Sequence, residues 1–240
     1  MRNLKKVLSL SLALVMLLGM MVVGASAATA LDVYPDADTI TYKEAVDLLT
    51  AIDVLEGDNG GFRPTDTLTR EEAAKIVAYV ALGVDAAEAL SVTKAPFTDV
   101  SATRWSAGYI AYCANVGIIN GMGDGTFRPT DTVTGYQMAK MLLCCVGYGA
   151  NDEYTGSNWA LNVGKDGVTT GLFSRLSNVG NTPATREEAA QLAFNAVTMP
   201  MVAYSALYGT YSAYTMDFGQ QQLLGTKAEK IFKVVAQYPT

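Results

Sequence analysis

The residues best suited to chemistry stand at the heads of two segments. Thr69-Arg70-Glu71-Glu72 and Thr185-Arg186-Glu187-Glu188 each set a hydroxyl, a guanidinium and two carboxylates before an apolar-periodic run. Thr134-Gly135-Tyr136-Gln137 has the same outline with the guanidinium missing. Thr followed three residues later by Glu or Gln is a capping box, which satisfies the orphan amides of a first helical turn. That explains Thr69, Thr134, Thr185 and their partners. It leaves Arg70 and Arg186, because a cation in the first turn opposes the helix dipole at a penalty of roughly 0.3–1 kcal/mol. Two chemistries would place it there. Free amides, dipole and guanidinium can converge on one carboxylate or phosphate of a ligand. Alternatively, the Arg pairs with a nearby Glu or Asp of the protein itself.

The remaining residue types narrow the reaction classes. The chain has no His, which removes the Ser-His and Cys-His machinery of hydrolases. Its cysteines, Cys113, Cys144 and Cys145, are odd in number and form no CxxC. They read as small core residues, not as a disulfide framework or a zinc site. Asp58-Asn59-Gly60 and Asp124-Gly125 share fragments with calcium loops but lack the alternating oxygen ligands and closing Glu, so they read as turns. Glu71-Glu72 serves the cap and the surface, not a glycosidase pair. No catalytic residue, metal site or cofactor is expected, and the chain reads as a non-enzyme. Trp105 and Trp159 suit either stacking on sugar faces or core packing.

The elements that position these residues come in copies. Phe62-Arg63-Pro64-Thr65-Asp66 recurs as Phe127-Arg128-Pro129-Thr130-Asp131, 65 residues on, each time after a Gly-rich turn and before a capping Thr. Repeats that share a core are usually binding or assembly surfaces. Each repeat reads as two helices around a turn-rich loop. In the first, a helix over 42–52 puts Ala45, Val46, Leu49 and Ile52 on one face, and the glycines at 57, 60 and 61 break it. Phe62-Arg63-Pro64 is expected to be extended, since the residue before proline avoids the helical region. In the second, a helix over about 106–115 precedes a loop at 117–125. The closing helices carry Ala73, Ile76, Val77 and Val80, then Met138, Met141, Leu142 and Cys145, then Ala189, Leu192, Ala193 and Ala196, at matching offsets from their Thr. The third copy is fainter. Its first helix runs from Trp159 to Gly167, and Val168-Thr169-Thr170-Gly171 stands for Ile118-Ile119-Asn120-Gly121. Asn181-Thr182-Pro183 replaces Phe-Arg-Pro.

These motifs resemble the S-layer homology family. A Phe-x-Asp-Val opening is matched by Phe97-Thr98-Asp99-Val100, with a weaker form at Val33-Tyr34-Pro35-Asp36. Gly117 to Gly121 matches the Gly-Ile-Ile-x-Gly turn, 124–129 matches Asp-Gly-x-Phe-x-Pro, and 69–72 and 185–188 match Thr-Arg-x-Glu. The resemblance covers residues 31–198. It implies a mainly α fold of three tandem helix-loop-helix repeats, arranged as a pseudo-threefold prism with a central helical bundle. It also implies grooves between repeats that bind secondary cell-wall polysaccharide, commonly bearing pyruvate ketals, and so hold surface-layer proteins or exoenzymes at the envelope. The Arg of Thr-Arg-x-Glu would face the ketal carboxylate. The candidate carbohydrate-binding residues are thus Thr69, Arg70, Trp105, Asp124, Gly125, Thr185 and Arg186. Gly135 departs from the pattern, which leaves its groove without a guanidinium.

Basic Arg2, Lys5 and Lys6, an apolar run over 7–23 and Ala25-Ser26-Ala27 form a secretory signal with its cleavage site, so the mature chain is expected to begin near Ala28 and leave the membrane. The chain carries 17 basic and 23 acidic residues, a net charge of −6, and cleavage makes it more acidic. Such a field excludes nucleic acid as partner and requires local basic groups for any anionic ligand. Self-assembly into a surface layer is compatible with it. The expected organisation is a signal at 1–27, repeats over 31–83, 96–149 and 154–198, and a tail over 199–240 of unassigned role. Within the tail, 226–237 suits one more helix or strand. Two roles follow: a wall-polymer module that anchors or builds a surface layer, or the anchor portion of an exported enzyme.

Overall fold

The computed structural model describes residues 29–58 and 60–213, so the signal segment and the 226–237 segment lie outside the described residues. The fold is mainly α. Two 3₁₀ turns at Ala30–Val33 and Ala37–Thr39 lead into helix α1, Lys43–Ala51. Then come α2 (Arg70–Leu82), the short α3 (Val84–Glu88), α4 (Ala107–Asn115), α5 (Gly135–Cys145), α6 (Trp159–Thr169) and α7 (Arg186–Val197). A hairpin of β1 (Val202–Ser205) and β2 (Thr210–Ala213) follows. No helix among the described residues is long and apolar enough to cross a membrane.

All three capping boxes form. Thr69, Thr134 and Thr185 accept from the amides of Glu72, Gln137 and Glu188, whose side chains bond back to the Thr amides. These caps start α2, α5 and α7, which pack against one another at the centre of the molecule. Each also packs against the first helix of the next repeat: α2 on α4, α5 on α6, α7 on α1. The arrangement therefore closes on itself. The residues before the capping Thr make the closure explicit. Leu68 N donates to Ala184 O at 3.0 Å, Ala184 N to Val133 O at 2.9 Å, and Val133 N to Leu68 O at 2.9 Å. The apolar faces read from the sequence are inside: Leu49, Ile52, Val77, Met138, Leu142 and Leu192 are buried, and Ile110 and Leu172 join them. Each such aliphatic side chain stabilises the fold by roughly 1.5–3 kcal/mol. No single helix could bury them alone.

The duplicated phrase is the seam between repeats. Phe127 O, Pro129 O and Asp131 O accept from Arg70 Nε, Glu71 N and Arg70 N at 2.8, 3.0 and 2.8 Å. Phe62 O, Pro64 O and Asp66 O accept from Arg186 Nε, Glu187 N and Arg186 N at 2.8, 3.1 and 2.8 Å. Alternate carbonyls of the phrase thus receive the start of the preceding repeat's closing helix. Its own amides are held too: Phe127 N and Arg128 N donate to Asp99 at 2.8 and 2.7 Å, and Phe62 N and Arg63 N to Asp36 at 2.8 and 2.7 Å. Three expectations are corrected here. Arg63 and Arg128 are not extended but sit at φ 56° and 57°, a strain offset by the paired amide bonds to Asp36 and Asp99. And in the third repeat Gly180 O and Thr182 O receive Tyr136 N and Gly135 N, so Asn178 to Thr182 stands at the place of the phrase, not Asn181-Thr182-Pro183. Likewise α6 runs on to Thr169, and Gly171 at φ 82° matches Gly117 at φ 77°, so Leu172-Phe173 takes the place of Ile118-Ile119.

Residue 71 and its equivalents join neighbouring repeats. Glu71 accepts from Arg104 Nε and NH2, both at 2.7 Å, and from Ser106 Oγ at 2.6 Å, just before α4. Glu187 accepts from Thr41 N at 2.7 Å, just before α1. Tyr136 instead stacks on Phe173. Burial pulls the Glu71 carboxyl up, but Arg104 and Ser106 outweigh it and hold it below the ordinary 4.5. A carboxylate whose folded pKa is depressed stabilises above its unfolded value and loses that contribution as pH falls through the folded one. Melting temperature is therefore expected to drop as pH falls below about 4.5. In Glu71→Gln that drop should be shallower, because one depressed carboxylate is gone. Calorimetric scans from pH 7 to pH 3 test this, and parallel curves for the two proteins would refute it.

The cysteines are core residues. Cys113 Sγ donates to Ala74 O at 3.7 Å, and burial pushes Cys144 and Cys145 up to about 11 and about 12.

Candidate functional site

The start of α2 lies against the loop of the second repeat, and a cavity of about 490 Å³ opens there. Its floor comes from the 118–123 loop, one wall from Gln137, Lys140 and Met141 of α5, and the other from Tyr154 to Gly156 and Trp159 at the head of α6. Arg70 and Lys140 are the charged side chains lining it. In a chain of net charge −6, that is a local positive site.

Arg70 is fixed before any ligand arrives. It is buried, its guanidinium lies 4.5 Å from the centre of the Phe127 ring, and Nε is spent on Phe127 O. Burial lowers its pKa, and Asp131 partly offsets this. Neither chemistry expected from sequence describes it fully. Among the described residues it has no carboxylate partner in an ion pair, and the amides of Arg70 and Glu71 are already bonded to Asp131 O and Pro129 O. The first turn of α2 therefore offers no free amides to an anion; what lines the cavity is the remainder of the guanidinium. Arg186 is arranged alike, donating to Phe62 O and, at 2.9 Å, to Glu56 O.

Lys140 was not among the residues singled out by sequence. Its Nζ lies 5.9 Å from the Trp159 ring centre, and among the described residues no carboxylate is in salt-bridge reach of it. Asn120, with its amide oriented to satisfy both ends, accepts from Lys140 Nζ at 3.2 Å and donates to Ile119 O at 3.1 Å. Burial pushes Lys140 below its ordinary pKa, and nearby Cys144 offsets part of this. A half-buried, uncompensated ammonium next to an indole suits an anionic sugar: the cation takes the charge and the ring takes an apolar face. A signal for Lys140 did exist. Lys75 and Lys140 both lie six residues past their capping Thr, off the apolar register, at matching places in two repeats.

The other sequence candidates are elsewhere. The Thr69 and Thr185 hydroxyls are committed to caps. Trp105 is 54% exposed and leans edge-on to Tyr109, outside the cavity; Trp159 is the indole that lines it. Asp124 organises the loop turn: it accepts from the hydroxyl and amide of Thr126 and pairs with Arg128 at 3.2 Å, which together bring its pKa to about 2. Gly125 sits at φ 84°, and its carbonyl accepts from Thr98 N at 3.0 Å. Around Gly135 only about 10 Å³ is open. A Cβ there would approach Gly180 N and Val179 Cγ1 at 3.1 Å, and Asn178 stands where Phe127 or Phe62 supports an Arg. The missing guanidinium and the missing Phe are two sides of one seam.

The hairpin after the repeats packs on the segment between α5 and α6. Val202 N donates to Val146 O at 2.8 Å, so closely that a Cβ on Gly147 would lie 2.0 Å from Val202 O. Tyr211 packs on Tyr148 and donates to Glu153, which also accepts from Gly149 N and Asn151 N.

A closed ring of three helix pairs with a cation-lined cavity at one seam defines a helical repeat module. Residues 33–74 and 96–139 match the S-layer homology domain, which identifies the first two repeats as copies of that domain. It is similar to "Cell surface protein" of Thermoanaerobacter kivui, 27% identical over 206 residues, 85% of this chain and 26% of that protein. It is similar to "Cellulosome-anchoring protein" of Acetivibrio thermocellus, 36% identical over 86 residues, 35% and 19% of the two chains. It is also similar to "Exoglucanase XynX" of Acetivibrio thermocellus, 31% identical over 103 residues, 42% and 9% of the two chains. The chain thus spans about a quarter or less of the length of these relatives. Family and relatives place it at the bacterial cell surface, in a surface-anchoring role.

Proposed function

We propose that the chain anchors by non-covalent binding of an anionic secondary cell-wall polysaccharide, one bearing pyruvate ketals, in the cavity beside Arg70 and Lys140. The observation that carries this reading is the charge of the cavity: its ionised lining is wholly cationic in an acidic protein. In this reading the ketal carboxylate lies on Lys140 Nζ and the outer edge of the Arg70 guanidinium, and a sugar face lies on Trp159. Charge supplies selectivity and the indole supplies area, which water-exposed sugar sites need because each hydroxyl bond merely replaces one to water. No step of covalent chemistry is required of the chain. A second reading attaches the same anchor to an exported enzyme, and the similarity to "Exoglucanase XynX" favours it. The test is sedimentation of the purified chain with wall sacculi. Binding should be strong with intact sacculi, weak after the secondary polymer is extracted, and competed by the released polymer. Equal binding before and after extraction would sink the reading.

A further inference from the structure

Repeats one and two differ at one position that decides which lysine is free. The residue after the two apolar loop positions is Glu56 in Val54-Leu55-Glu56 and Asn120 in Ile118-Ile119-Asn120. The structure confirms that the two sites are equivalent. Val54 N and Leu55 N donate to Leu49 O as Ile118 N and Ile119 N donate to Cys113 O. Arg186 NH2 reaches Glu56 O as Arg70 NH2 reaches Asn120 O. The lysines match as well. In repeat one Lys75 Nζ lies 3.3 Å from Glu56 Oε2, over the Tyr79 ring. In repeat two Lys140 Nζ lies over Trp159 and, among the described residues, meets the Asn120 amide and no carboxylate. An ammonium paired with a carboxylate has little left for an anion. An ammonium that meets a neutral amide keeps its charge.

We infer that position 120 is the selectivity switch of the cavity: Asn120 leaves Lys140 available to an anionic ligand, whereas a glutamate there would neutralise it, as Glu56 does Lys75. The inference rests on the reading of this cavity as the polymer site. It goes further in naming an uncharged loop residue as the one that sets preference for charged over neutral glycans. It also assigns the anion site to the second repeat's lysine and not to the first's.

Asn120→Glu is the direct test, made on the whole chain. The probes are a wall-derived oligosaccharide carrying a pyruvate ketal and the same oligosaccharide after mild acid removes the ketal. Titration calorimetry should show affinity for the charged probe reduced at least tenfold, with the charged-over-neutral preference abolished. Asn120→Gln, which stays neutral, should keep most of that preference. In a Lys140→Met background, Asn120→Glu should cost the charged probe no more than about twofold, because its target is already gone. Unchanged preference in Asn120→Glu, with Lys140→Met still weakening the charged probe, overturns the inference and leaves the site reading intact. If Lys140→Met also leaves the charged probe unaffected, the site reading itself falls and takes the inference with it. An equal further loss from Asn120→Glu in the Lys140→Met background would show that the glutamate acts elsewhere, and would overturn the switch.

Discussion

Lys140→Met should weaken binding of the anionic wall polysaccharide by about tenfold to a hundredfold, with the melting temperature shifted by no more than a few degrees. A hydrogen bond to a charged group contributes roughly 1.5–3 kcal/mol, which sets that range. Stability should hold because methionine keeps the apolar stem against Trp159 and removes an ammonium that has no carboxylate partner. The pH dependence has a definite sign. Binding needs protonated Lys140, and burial has lowered its pKa. Affinity should therefore be level near neutrality and fall as pH rises through that lowered value, before an exposed lysine would titrate. Calorimetric titration between pH 6 and pH 10, with a parallel thermal melt, measures both. Full affinity in Lys140→Met would remove the charge contact from the mechanism.

Arg70→Ala should cost both affinity and stability. From sequence alone the arginine is either a ligand-facing cation, whose loss would spare the fold and even relieve the helix dipole, or the ion-pair partner of a nearby carboxylate. The structure couples the two roles. Nε holds Phe127 O, the guanidinium covers the Phe127 ring, and both lie in the seam that joins the first two repeats. Losing a charge-assisted bond of roughly 1.5–3 kcal/mol exceeds the roughly 0.3–1 kcal/mol returned by the dipole. At about 2–4 °C per kcal/mol for a domain of this size, the melting temperature should fall by about 2–10 °C. Arg70→Lys should recover little of it, since an ammonium cannot donate to the carbonyl and lie flat on the ring together. Differential scanning calorimetry of the three proteins decides the matter. An unchanged melting temperature in Arg70→Ala would mean that the seam does not depend on this side chain.

The modules are legible in the order of residues. Capping boxes at Thr69, Thr134 and Thr185 and the apolar offsets behind them are local, because a helix needs a cap and one apolar face whatever it packs against. They gave helix starts to the residue and the composition of the core. The signature Arg-x-Glu and the duplicated Phe-Arg-Pro phrase were visible as patterns too. What they bond to was not. Asp131 and Arg70, or Asp66 and Arg186, are far apart in the chain, and which carbonyl faces which amide depends on how the three repeats close. Only that closure consumed the first-turn amides and seated Arg70 on Phe127, while amide bonds to Asp36 and Asp99 within each repeat hold Arg63 and Arg128 at positive φ against the local preference before proline. It also sorted the aromatic candidates, bringing Trp159 to the cavity and leaving Trp105 on the outside. Lys140 shows the division most clearly. Its place off the apolar register was legible, but whether it meets a carboxylate, as Lys75 meets Glu56, or a neutral amide is set by a neighbour twenty residues earlier. Charge compensation acts over a few ångströms in space, and a linear spacing does not report it.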